Sequence, residues 1–148
     1  MAEKDYDKRM HTAEHILNSV MDRMFACGRS FRSHIEKKKS KCDYHFERLL
    51  TRPEIESVET AVNEIIQMNI VLSEEFVTRE VAELNYYTGK LPPDAGDNIR
   101  IVRIGSYDEC PCIGPHVKST GEIGHFFFST IDFESGILRM RFKIDDSL

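Results

Sequence analysis

Four side chains of this 148-residue chain have the types and spacings to hold one metal ion. His11 and His15 lie four apart in HTAEHIL, and Cys112 and His116 lie four apart in CPCIGPHV, about a hundred residues later. On a helix, positions i and i+4 project from one face a turn apart, so two imidazoles can chelate a single ion. Gly114 and Pro115 between the second pair allow a turn that brings Cys112 and His116 to one point. Thiolate and imidazole donors in a reducing compartment suit zinc. Either pair alone has an ordinary explanation: two exposed histidines, or a buried thiol beside a loop histidine. The two together specify a site. HTAEH also fits the H-x-x-E-H pattern of inverted zinc proteases, with Glu14 as general base. Such enzymes usually take a downstream carboxylate as third ligand, whereas this chain offers a Cys/His pair.

The first pair needs a helix. Ala13, Leu17, Val20, Met21 and Met24 recur at helical spacing and predict one from about Asp7 to Phe25. At ~100° per residue, His11 and His15 fall nearly opposite that apolar stripe, on the expected solvent face. SFRSHIEKKKSKCDYHFE alternates as a β-hairpin with Lys37, Lys38 and Lys39 at its tip. Thr51 and Glu54 form a capping box, with Pro53 in the first turn, for a second long helix carrying Ile55, Val58, Val62, Ile65 and Ile66. A strand over IVLSEEFVTR, a short helix capped by Thr78, a turn-rich loop (TGKLPPDAGD) and a strand over IRIVRIG follow. SYDECPCIGPHVKSTGEIG reads as a long functional loop, and HFFFSTIDF with GILRMRFKI closes the sequence as a hairpin. The expected architecture is α+β: two long helices packed on one mostly antiparallel sheet, in a single domain spanning 1–148.

Composition sets the outer bounds. Hydrophobic residues are 41% and charged residues 30%, ordinary for a globular protein. No apolar run reaches the roughly 20 residues of a membrane span. The charged N-terminal stretch MAEKDYDKRM has no signal-peptide core, which predicts a cytoplasmic protein. Its four cysteines are then expected as reduced thiols or ligands, with Cys27 and Cys42 as small core residues. His45 and His125 read as ordinary strand histidines. A net charge of −5 argues against a dedicated nucleic-acid binder, though a local basic patch at Lys37, Lys38, Lys39 and Lys41 could meet phosphates.

Several ordered blocks resemble the second additional domain of alanyl- and threonyl-tRNA synthetases and its free-standing AlaX-type relatives. HTAEHIL is similar to the helical H-x-x-x-H block. KCDYHFE resembles a strand with a central acid, here Asp43. LTRPEIESVETAVNEIIQMNIVL resembles the long helix and the strand after it. The C-terminal block carries C-x-G-x-H-V and T-G-E-I-G elements. The resemblance implies a zinc-dependent hydrolysis of mischarged aminoacyl-tRNA, with His11, His15, Cys112 and His116 as ligands and the acceptor end of tRNA as partner. It implies editing in trans, with Ser-tRNA(Ala) and then Gly-tRNA(Ala) as expected substrates. Ser-tRNA(Thr) deacylation and a non-catalytic zinc domain that binds tRNA or a synthetase are the alternatives. Ser30, Ser33 and His34 take the places expected to meet the substrate's side chain; Lys37, Lys38, Lys39 and Lys41 are candidates for the tRNA backbone by their charge alone. One departure stands out. Both synthetase branches usually carry an acid two positions before the cysteine ligand, a place expected to meet the substrate's ammonium group; this chain has Cys110 there.

Overall fold

The computed structural model of the chain describes residues 7–86, 88–89, 91–92 and 94–145. Helix α1 (Lys8–Phe25) starts where Asp7 accepts hydrogen bonds from the amides of Arg9 and Met10, and ends at Ala26 in a left-handed conformation. Strands β1 (Arg32–His34) and β2 (Ser40–His45) form the basic-tipped hairpin. Helix α2 (Arg52–Gln67) opens on the expected reciprocal box of Thr51 and Glu54. Strand β3 (Leu72–Thr78) leads through the Thr78 cap into the short α3 (Arg79–Asn85). Then come β4 (Asn98–Ile104), β5 (Asp108–Pro111), β6 (His125–Glu134) and β7 (Ile137–Asp145).

The expectation of two long helices on one sheet does not hold. Among the described residues there are three helices, the longest of 18 residues, and two antiparallel sheets, ordered β1-β2-β7-β6 and β3-β4-β5. The cause lies in how the second sheet buries its faces. Ile99 and Ile101 point from β4 onto Ala82 of α3, forming a small core of their own, while Ile104 belongs to the main core with α1, α2 and the four-stranded sheet. Two faces with separate covers make the β3-β4-β5 unit a layer in its own right. Strand β5 was also missed: its residues lie within the segment read as a loop, yet Asp108–Pro111 pairs with Ile101–Ile104.

The second sheet sets the environment of α1. Every residue from Met10 to Met21 is buried, whereas Met24 of the expected apolar stripe is 42% exposed. The stripe faces the main core and the opposite side faces β5. Two polar anchors fix that contact: Ser19 donates to the carbonyl of Tyr107, and Arg23 donates to the carbonyls of Ser106 and Tyr107 at 2.9 and 2.8 Å. The T-G-E-I-G element forms a 3-10 turn at Thr120–Glu122 ahead of β6. Gly124 there has φ +95, and a side chain on it would meet the carbonyl oxygen of Asp145 at 2.7 Å, so only glycine fits.

Candidate metal centre and adjoining cavity

Helix α1 presents His11 and His15 a turn apart, and the chain leaving β5 presents Cys112 and His116. His11 and His15 are 5% and 3% exposed. The expected solvent face of α1 is therefore an interior wall, because β5 and the segment after it lie over it. One ligand atom from each of His11, His15, Cys112 and His116 lies within 4.8 Å of all the others. Cys112 Sγ is 3.3 Å from His11 Nε2 and 3.3 Å from His116 Nε2. A tetrahedral zinc site with bonds of about 2.0–2.3 Å has ligand-to-ligand edges of roughly 3.3–3.8 Å, so these pairs stand at ligand spacing.

Outer hydrogen bonds fix which nitrogen faces inward in two of the three rings. His11 Nδ1 donates to the carbonyl of Pro115 at 2.9 Å, an atom that can only accept. Thr12 gives its hydroxyl proton to the carbonyl of Lys8 at 2.9 Å. Its oxygen therefore accepts from His116 Nδ1 at 2.9 Å and from the amide of Val117 at 3.2 Å. His15 Nδ1 lies 3.3 Å from Asp108 Oδ2, poorly aligned for a hydrogen bond but next to a negative charge. His11 and His116 thus carry their protons on Nδ1 and turn Nε2 to Cys112, while His15 has Asp108 beside its Nδ1. This is the outer arrangement that ligating histidines need, and the donor set fits zinc.

The electrostatics agree. Burial opposes ionisation of Cys112, yet the polar contacts of the His11, His116 and His15 rings and the positive charge of His15 bring its thiol down to about 3. Burial also lowers His15, but Asp108 and the Cys112 thiolate overcome it and raise the ring to about 9. Burial brings His116 down to about 4, against the Cys112 hydrogen bond. The cluster sets the Cys112 thiolate against the His15 imidazolium, a balance that a divalent ion can take over.

Beside the cluster is a cavity of about 360 Å³, walled by His11, Glu14, His15, Ser33, Cys110 and Cys112 among others. Glu14 accepts there from Asn18 Nδ2 at 3.0 Å, Ser33 Oγ at 3.1 Å and Ser30 Oγ at 3.4 Å. Ser30 and Ser33 stand 2.8 Å apart, and Tyr44 donates to Asn18 Oδ1 at 2.7 Å. Of the residues expected to meet a substrate, Ser33 and Cys110 reach this cavity and Ser30 backs it. His34 does not: it is exposed and pairs across the hairpin with Lys41. Lys37, Lys38 and Lys39 are exposed at the hairpin tip, and Lys41 is half-buried in β2. Cys110 stays outside the ligand set; burial pushes its thiol up to about 12.

Sequence reasoning overlooked Thr12, Asp108 and Arg29. Asp108 is the informative one. Asp108, Cys110 and Cys112 alternate along one side of the chain. The acid missing at position 110 therefore recurs two residues earlier on the same side, against His15. Arg29 holds it with Nη1 at 2.6 Å from Oδ1 and Nη2 at 3.3 Å from Oδ2. The alternation was readable in DECPC but was masked by reading the segment as a loop.

Residues 99–137, which include all of β4 but its first residue, β5 and the Cys112–His116 pair, match the threonyl and alanyl tRNA synthetase second additional domain. Along more of its length the chain is similar to alanine–tRNA ligases. It is 32% identical to that of Methanococcus vannielii over 144 residues, covering 91% of this chain and 16% of the ligase. It is 32% identical to that of Aeropyrum pernix over 146 residues, covering 93% and 16%. It is 34% identical to that of Fervidobacterium nodosum over 119 residues, covering 80% and 14%. The chain thus spans only about 16% of the length of the first two ligases. It is a relative of the alanine–tRNA ligases that resembles, in sequence and around its His/Cys cluster, the second additional domain of the alanyl and threonyl enzymes.

Proposed function

We propose that this domain hydrolyses the ester of mischarged aminoacyl-tRNA, with zinc held by His11, His15, Cys112 and His116. Serine on alanine tRNA is the principal substrate and glycine on the same tRNA the second. The observation that carries the reading is the position of the ligand cluster: His11, His15 and Cys112 line a cavity that also presents a carboxylate and a serine hydroxyl, and His116 completes the cluster beside them. A bound zinc ion would supply Lewis-acid polarisation of the ester carbonyl and bring the pKa of a water toward about 7. The chain's own residues do the rest. Asp108 and Thr12 keep His15 and His116 in register. Ser33, oriented by Glu14, offers a polar partner for a substrate hydroxyl, which matters because a buried hydroxyl left unmatched is costly. An adjoining open cleft of about 640 Å³ shares Asn18, Arg29 and Phe31 with the cavity and leaves room for the terminal nucleoside.

The rival reading is a non-catalytic zinc domain that binds tRNA. Four protein ligands favour it, because closed four-coordinate sites are usually structural. Ser-tRNA(Ala), Gly-tRNA(Ala) and Ser-tRNA(Thr), each incubated with the zinc-loaded chain, decide between the two. Deacylation of Ser-tRNA(Ala) fastest, lost by at least about a hundredfold in His15→Ala along with the metal, supports the proposal. No cleavage of any of the three above the metal-free control, with tRNA still bound, leaves only the binding role. Cleavage of Ser-tRNA(Thr) alone would reassign the substrate.

A further inference from the structure

We infer that Arg100 is the positioning residue of the Cys112–His116 half of the metal centre, through a fork that clamps the backbone between the two ligands. The inference rests on the metal reading of the cluster, and its test reads metal directly.

The geometry begins with a problem of flexibility. Cys112 and His116 follow β5 in a segment outside any helix or strand, with Gly114 between them. Sγ and Nε2 must nevertheless stand 3.3 Å apart. Something other than secondary structure has to set the path of that backbone. From α1, His11 holds the carbonyl of Pro115, and Thr12 holds the amide of Val117. These anchor the histidine end only.

Arg100 anchors the cysteine end. The amide of Cys112 donates to the carbonyl of Arg100 at 3.1 Å. The side chain of Arg100 then turns onto the same segment: Nε donates to the carbonyl of Cys112 at 3.0 Å, and Nη2 donates to the carbonyl of Gly114. Nη1 faces Glu74 of β3 at 3.8 Å, and the side chain is 21% exposed. One planar guanidinium therefore spans two carbonyls, two residues apart, on either side of Ile113. Lysine cannot do this, because an ammonium is a point donor without the fixed fork. Arg100 touches none of the donor atoms, so its effect passes through where the loop puts Cys112 and His116.

The test is cobalt(II) titration of the full chain, followed by the thiolate-to-cobalt absorption band and by metal competition, with Arg100→Lys, Arg100→Ala and Arg103→Ala. Arg103 lies on the other face of β4, paired with Glu75 and Glu109, and serves as the same-strand control. The expected result is cobalt affinity about tenfold weaker in Arg100→Lys and up to about a hundredfold weaker in Arg100→Ala, with Arg103→Ala unchanged. Thermal melts of the metal-free proteins run alongside, and a purely structural role would move these melts while leaving affinity per folded molecule and the band as in the wild type. Wild-type affinity and an unaltered band in Arg100→Lys would overturn the inference even if Arg100→Ala fails to fold. A wild-type chain that takes up no cobalt overturns the metal reading and this inference with it.

Discussion

Asp43 and Asp108 are both buried aspartates held by arginine, and they do different work. Asp43, in β2, is 0% exposed at its side chain and receives two guanidinium forks. Arg32 approaches Oδ2 at 2.7 and 2.8 Å, and Arg139 bonds both oxygens at 2.8 and 2.9 Å. Asp108, in β5, receives one fork from Arg29 and shares its Oδ2 with His15. Burial opposes ionisation of both carboxylates, and their cationic neighbours hold both below the ordinary range. The contrast lies in the second cation. A second arginine closes Asp43 into a clamp across β1, β2 and β7, whereas an imidazole couples Asp108 to the ligand cluster. A buried acid with permanent partners on all sides is structural; one that shares itself with a titratable ring conditions a site.

The sharpest way to break this comparison is to remove the ligand that the Asp108 side serves. Cys112→Ser should take zinc content from about one per chain to near zero, read by elemental analysis, because a hydroxyl is a far poorer zinc donor than a thiolate. Next in size is Asp43→Asn. It should cost about 2–3 kcal/mol of folding stability by denaturant titration while zinc affinity per folded molecule stays unchanged. That is the low end for a broken buried pair, since Arg32 and Arg139 reach solvent. The pH dependence has a definite sign. With its folded pKa depressed, Asp43 contributes stability fully above its unfolded value of about 3.9. That contribution fades as pH falls toward the folded value, and Asp43→Asn should flatten this acid limb. Asp108→Asn should show the opposite balance, with zinc bound about ten- to a hundredfold more weakly by competition titration. Equal metal affinity in the two Asn variants would erase the distinction. The smallest effect is expected of Thr12→Val, which keeps shape but removes the acceptor of His116 Nδ1; zinc should bind about tenfold more weakly.

How much of this was legible beforehand depended on how local each signal was. The pair His11/His15 could be found because helical spacing is set within five residues, and the Asp7 start and Thr51/Glu54 box followed from adjacent residues alone. That the pair is buried could not, because its cover is β5, about ninety residues away. Asp108 was hidden for a related reason: a four-residue strand next to Gly and Pro looks like loop until its partner β4 is known. The split into two sheets is non-local, since β2 pairs with β7 across about a hundred residues and β3 turns to β4 instead. The serine network around Glu14 joins two elements that sequence could place only by resemblance.

The distance in sequence between the two halves of the cluster has a consequence for how the chain assembles. His11 and His15 can take their places as soon as α1 forms, but Cys112 and His116 arrive only when β4 and β5 have docked against it. Contacts this far apart close late, because loop-closure entropy opposes them until other packing is in place. Closure of the four-residue cluster is thus a report of completion. In a partly folded chain the Cys112 thiol is open to a bulky reagent, while in the finished one it is only 8% exposed at a cavity wall, so the fall in its access to such a reagent is a clock for the last step of folding.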